Sequence, residues 1–161
     1  MTNEAAQIGR LLANVSVGRG WHGSSLRSLL GDVTAEEAAA QPLRASHSIW
    51  QVVLHIIAWR KVLTGLLEGS SVTSIPDKEN WPVVKDTSDQ AWRETLKSLE
   101  ASGERLGQLL AEFRDDRLDE PAAAYAGKSA NPIRYYALLH GLIHHDVYHA
   151  GQIAVLRNAQ R

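Results

Sequence analysis

Between Thr87 and Phe113 the residues Trp92, Leu96, Leu99, Gly103, Leu106, Leu110 and Phe113 step by four and three positions alternately. A helix turns about 100° per residue, so this alternation draws one apolar stripe along a long helix and leaves its remaining surface polar. Such a stripe has to be covered by other helices lying nearly along it. Gly103 is the odd member. It costs about 1 kcal/mol of helix propensity against alanine, and the close approach of another backbone is the expected compensation.

The other segments supply the partners. Ile8, Leu11, Leu12 and Val15 keep helical spacing, Gly18 and Gly20 loosen the chain, and Leu26, Leu29 and Leu30 resume it, which predicts one long first helix kinked or broken near Gly18. Gly31 and Pro42 bracket a connection in which Thr34 to Glu37 reads as a capped helical turn. A second long helix opens at Ser48, with Gln51 as the reciprocal cap. Its stripe is Ile49, Val52, Val53, Ile56, Trp59, Leu63, Leu66 and Leu67, and it ends near Gly69. Ser70 to Asp86 contains Pro76 and Pro82 and is expected to be irregular, a loop long enough to lie over a site. An Ala-rich link with Pro121, Gly127 and Pro132 leads to a last helix from Ile133 to Asn158. No segment reads as a strand. The expectation is an all-α, antiparallel four-helix bundle spanning residues 1–161 as one domain, an architecture that holds metal ligands between facing helices.

Composition narrows the partners. The chain has 161 residues and a formal net charge of -1, so it lacks the basic footprint of a nucleic-acid-binding protein. The apolar run from Ile49 to Trp59 is interrupted by Gln51 and His55 and is too short to span a bilayer. The start, Met1-Thr2-Asn3-Glu4, has no export pattern, which points to the cytoplasm. There is no cysteine. Any bound metal must therefore be held by His, Asp or Glu, and any thiol chemistry needs its sulfur on a small molecule.

Seven histidines compete for that role. In the last helix His145 pairs with His149 and His140 with His144, each at the i,i+4 spacing that stacks two imidazoles on one face. The helical wheel separates them. With His145 at zero, His149 lies at about 40° and Leu138, Leu142, Ile153 and Leu156 at about 20° to 80°, whereas His144 and His140 lie about 100° and 140° the other way. The pair His145 and His149 thus faces the core, and the other faces a flank beside Ile133 and Val147. Two ligands do not make a site, and His55, at the edge of the second helix's stripe, is the candidate third. Alone, it reads equally as a hydrogen-bonded core histidine. Asp146 and Gln152 could orient the imidazoles, or be ordinary solvated or capping side chains. His22, after the first-helix break, could approach the mouth of the bundle, and is favoured over His47 for that reason. Trp50, Trp59 and Trp92 read as core, and Tyr148 as a phenol that either packs or lines a pocket.

Three blocks of the chain resemble a known family. They are Trp21-His22-Gly23-Ser24-Ser25-Leu26; Ser46-His47-Ser48-Ile49-Trp50 followed by Val53-Leu54-His55-Ile56 and Trp59; and His145-Asp146-Val147-Tyr148-His149-Ala150-Gly151-Gln152-Ile153. Together they resemble the DinB/YfiT-like superfamily of bacterial four-helix metal-binding proteins, unrelated to the polymerase that shares the DinB name. The resemblance implies one metal ligand from the second long helix and two from the last, carried over to His55, His145 and His149. It also implies one divalent ion per chain, nickel or zinc foremost, and a homodimer. Thiol S-transferases using low-molecular-weight thiols are among the family's characterised branches. The leading expectation is therefore a metal-dependent thiol S-transferase acting on a small molecule. A metal-dependent hydrolase and a non-catalytic, dimeric metal-binding or stress-response protein are the alternatives.

Overall fold

The computed structural model describes residues 3–18, 20–44, 46–72, 74–122 and 131–161. Gly127 of the Ala-rich link lies outside them. Among the described residues there are seven α-helices and no strand, only two isolated bridges. The helices are α1 (Glu4–Ser16), α2 (Leu26–Leu30), α3 (Ala35–Ala39), α4 (Ile49–Leu67), α5 (Asp77–Asn80), α6 (Asp89–Glu112) and α7 (Tyr135–Asn158).

Local chemistry sets most of the boundaries. Thr34 with Glu37 and Ser48 with Gln51 form the two expected capping boxes, at the starts of α3 and α4. The free amides opening α1 are met from a distance, with Glu4 N and Ala5 N donating to the Asp115 carboxylate at 2.8 and 2.9 Å. The first helix is broken near Gly18, one of the two forms expected of it. α1 stops at Ser16, the chain doubles back through the Gly20 to Gly23 bridge with Gly23 at a φ of 124°, and α2 begins afresh at a Ser25 cap. A side chain at position 23 would be strained in that left-handed region, so helix cannot run through it. The long loop also differs from expectation, because Pro76 starts the one-turn helix α5 within it.

Four long helices, α1, α6, α4 and α7, pack in a ring, each against the next and α7 back against α1. Cross-helix hydrogen bonds give their directions. Along α4 and α6, Trp50 meets Thr95, Arg60 meets Leu99 and Ser102, and Glu68 meets Arg105. Both numbers rise together, so these neighbours run the same way. Along α4 and α7, His55 meets His145, Arg60 meets Asp146, and Leu66 meets Tyr135, so this pair is antiparallel. The uniformly antiparallel arrangement expected from sequence therefore fails at α4 and α6, and, since Gly9 faces Leu110 and Gly103 faces Ser16 along an antiparallel α1 and α6, at α1 and α7 as well. The reason is the segment between α4 and α6: a parallel neighbour needs a connection that travels back the length of the helix, and residues 68–88 provide it.

The α6 stripe is buried as its spacing requires, with Trp92, Leu99, Leu106, Leu110 and Phe113 all in the core. The core itself falls into two apolar clusters. One gathers α2, α3, the first halves of α4 and α6 and the last half of α7; the other gathers α1, the last halves of α4 and α6 and the first half of α7. Between them lies a polar layer of Arg60, Asp146, Ser16 and Ser102, joined by hydrogen bonds. Gly103 belongs to that layer. A Cβ there would stand 3.1 Å from Arg60 Nη1 and 3.5 Å from Ser16 Oγ, so the close approach that this glycine permits is made by a guanidinium rather than by another backbone.

Candidate metal centre

His55 projects from α4, and His145 and His149 from successive turns of α7. Their candidate ligand atoms lie within 4.8 Å of one another. His145 Nε2 is 3.1 Å from His55 Nε2 and 3.1 Å from His149 Nε2. Nitrogens held about 2.0–2.1 Å from one ion in a tetrahedral shell sit roughly 3.3 Å apart, so little movement would bring these three onto a shared cation.

The opposite ring nitrogens decide where the protons are. His55 Nδ1 lies 2.9 Å from the Asn80 carbonyl oxygen, His145 Nδ1 3.2 Å from Asp146 Oδ1, and His149 Nδ1 2.7 Å from Gln152 Oε1. A carbonyl and a carboxylate can only accept, so the first two rings donate from Nδ1. Gln152 places its amide oxygen on His149 Nδ1 and its amide nitrogen 3.2 Å from the Tyr148 hydroxyl, and with the amide in that orientation His149 donates from Nδ1 as well. Each neutral imidazole carries one N–H, and all three are spent on these partners. With the protons so placed, the three Nε2 lone pairs converge on one point. A cation suits that arrangement, and three neutral nitrogen donors suit a zinc-like or nickel-like divalent ion.

Burial favours the same neutral forms. Desolvation is the largest influence on His55 and His149 and lowers both; hydrogen bonding to Asn80 and to Gln152 pulls the other way, yet His149 is still pushed down to about 4. In the metal-free protein this makes stability depend on pH. Above 6.5, the ordinary histidine value, the imidazole of His149 is neutral whether the chain is folded or not. As pH falls from 6.5 through about 4, the unfolded chain takes up a proton that the folded site refuses, and stability is lost over that window. Urea midpoints should therefore drop between pH 7 and 4.5, and drop less in His149→Gln. Identical profiles for the two proteins would contradict this account of the site.

Aromatic rings wall the cluster. Trp81 lies in a three-ring stack, 3.9 Å from His55 on one face and 3.6 Å from His47 on the other. Trp59 Nε1 donates to Asn80 Oδ1 at 3.0 Å, which ties the end of α5 to α4 directly over His55. His55 and His149 are buried, whereas the His145 side chain is 24% exposed and marks the open side. A model of the DinB superfamily matches residues 21–153. The chain belongs to the DinB superfamily. Neither the curated proteins nor the solved structures searched contain a match to it.

In this DinB-superfamily chain, the structure brings His55, His145 and His149 together with Asp146 and Gln152 behind two of them. Tyr148 is mostly exposed, in ring contact with His149 and bonded to Gln152. His22 is exposed in the turn between α1 and α2 and is not among the three clustered rings. His47, ranked below it from sequence, is the one that reaches the site, through Trp81. Trp59, expected in the core, is only half-buried and closes the site's edge. Asn80 and Trp81 had no sequence signal, because they lie in an aperiodic segment. His144 is exposed, as the wheel predicted for the flank pair. A cavity of about 400 Å³ opens on the far side of the polar layer, where α1 ends and α2 has taken its place, and Arg60 lines it.

Proposed function

We propose that this protein is a metal-dependent enzyme in which His55, His145 and His149 hold one divalent ion, nickel or zinc, between the helices of a four-helix bundle with one long crossover. The observation that carries the reading is the convergence of three ring nitrogens, with His145 Nε2 3.1 Å from both His55 Nε2 and His149 Nε2, while each Nδ1 faces an oxygen of Asn80, Asp146 or Gln152. The reaction class is thiol S-transfer: the sulfur of a low-molecular-weight thiol forms a bond to an electrophilic carbon of a small molecule, the bond from that carbon to its leaving group breaks with the electron pair going to the leaving group, and the thiol proton goes to solvent. A bound divalent ion would supply a Lewis acid that raises the fraction of a thiol present as nucleophile at neutral pH.

The chain's own residues support transfer over hydrolysis. The carboxylate beside the cluster, Asp146, is already committed to Arg60 and His145, so it is not free to serve as the general base that would activate water. Trp59, Trp81 and Tyr148 lie in ring contact with the imidazoles, and the partly exposed edge of His145 is the open side of the cluster. A homodimer and a cytoplasmic setting complete the proposal.

The test is turnover. Metal-loaded protein mixed with bacillithiol, mycothiol or glutathione and an electrophilic reporter is expected to conjugate at least one thiol faster than the uncatalysed mixture. Replacing His145 should remove that excess rate. Conjugation that proceeds equally without the imidazoles would reject thiol transfer, and a protein that takes up metal without turning over any thiol would favour the non-catalytic metal-binding reading.

A further inference from the structure

The mechanism above uses Asp146 but leaves unexplained the buried arginine that holds it. Arg60 is wholly buried, and so is Asp146. Arg60 Nε and Nη2 both approach Asp146 Oδ2, at 2.9 and 2.8 Å, and the other oxygen, Oδ1, faces His145 Nδ1. Arg60 is itself fixed from two other helices. Nη1 donates to the Leu99 carbonyl at 3.1 Å and lies 3.4 Å from Ser102 Oγ on α6, while Nη2 donates to Ser16 Oγ on α1 at 2.8 Å. The glycine at position 103 leaves the space for the guanidinium head. A chain of contacts thus runs from α1 and α6, neither of which contributes a clustered imidazole, through Arg60 and Asp146 to one ring nitrogen on α7.

We infer that Arg60 is a positioning residue for the metal centre: by occupying one oxygen of Asp146 from the side of α1 and α6, it decides which end of residue 146 faces His145 Nδ1, and that end, an acceptor in the native carboxylate, keeps the ring's proton on Nδ1 and its Nε2 free for the ion. This rests on the metal-centre reading above. The logic is that of an acceptor with two ends. A guanidinium only donates, so whatever group stands at position 146 must present an acceptor to Arg60; with a carboxylate, the second end is an acceptor too, and His145 must donate from Nδ1. With an amide, the second end becomes an NH2 group. His145 Nδ1 would then have to accept, and the ring's single proton would move to Nε2, where it blocks the ligand position.

That switch gives a test that simple loss of stability does not reproduce. In metal-free Asp146→Asn, long-range proton–nitrogen NMR spectra are expected to show His145 protonated on Nε2 instead of Nδ1. Its affinity for Co²⁺, measured by competition and by the visible absorption of the bound ion, should fall by about 10- to 100-fold. Adding Arg60→Met frees the amide to turn its oxygen to His145, so the double variant Arg60→Met with Asp146→Asn should recover Nδ1 protonation and bind Co²⁺ within a few-fold of the parent. A double variant no better than Asp146→Asn, or an Asp146→Asn protein with unchanged tautomer and affinity, would overturn the inference.

If Asp146→Asn alone does not fold, two variants without either buried charge carry the test. Arg60→Met with Asp146→Asn keeps an acceptor for His145, and Arg60→Met with Asp146→Leu does not. The first should bind Co²⁺ at least about 10-fold more tightly, and equal affinities would refute the role. Failure of the parent protein to take up Co²⁺ would defeat the metal-centre reading, whereas the tautomer of metal-free His145 still decides the role of Arg60.

Discussion

Replacing His149 by alanine is expected to abolish stoichiometric metal binding. Purified parent protein should carry or take up about one divalent ion per chain, and removing one of three donors leaves two imidazoles, fewer than zinc sites ordinarily use. The loss should exceed that of an ordinary ligand deletion, because Gln152 and Tyr148 then lose the ring they orient and Trp81 loses its edge contact. His144→Ala is the control. It sits one turn before Tyr148 on the same helix but is exposed, and it should leave metal content unchanged. Metal analysis by mass spectrometry after extensive dialysis reads both variants. Retention of the ion in His149→Ala would defeat the assignment of the site.

Much of this site could be read from residue spacing, and the unread parts share physical causes. The i,i+4 spacing of His145 and His149 fixes a shared helix face whatever else surrounds them, and the apolar residues beside them say that the face is inward. The capping boxes at Thr34 and Ser48 are likewise local, written within four residues. The relative direction of α4 and α6 is not local. Periodicity tells which face of a helix is covered without telling which helix covers it, so only the length of the 68–88 connection hinted at a parallel pair. Asn80 and Trp81 reach His55 from that same connection, where no repeat marks a buried position.

Arg60 and Asp146 are a different case, since their signal was present. Arg60 falls between Ile56 and Leu63 on the α4 stripe, and Asp146 between Leu142 and Ala150 on α7, so each charge is in register with buried apolar neighbours. A lone charge in such a place is improbable on solvation grounds, and two of opposite sign on facing helices answer one another. Read from its neighbours in sequence alone, Asp146 is only a side chain beside the histidines. Its place at the centre of the buried face, with His145 nearer the edge, shows that the interior of α7 is built around the ion pair as much as around the imidazoles.

That arrangement sets the largest expected effect on stability. Arg60→Met removes the guanidinium and leaves the Asp146 carboxylate at 0% exposure without its ion-pair partner, while Ser16 Oγ, Ser102 Oγ and the Leu99 carbonyl lose their contacts in the same layer. Breaking a buried pair from one side typically costs about 3–5 kcal/mol, a large part of the roughly 5–15 kcal/mol that holds a domain of this kind together. Arg60→Met should therefore unfold at a much lower urea concentration than the parent. Removing both charges should do less harm, because no charge is then left to desolvate on folding, and well-packed neutral replacements of a buried pair are often tolerated. Arg60→Met with Asp146→Leu is accordingly expected to be more stable than Arg60→Met alone, even though it lacks one more native contact. Equilibrium urea denaturation of the metal-free proteins at pH 7.5 separates this from simple loss of packing, which predicts that the double variant is the less stable of the two. The same pair of proteins would show that stability and metal binding make opposite demands on the layer: an apolar replacement at position 146 restores the fold, and only an acceptor there can orient His145.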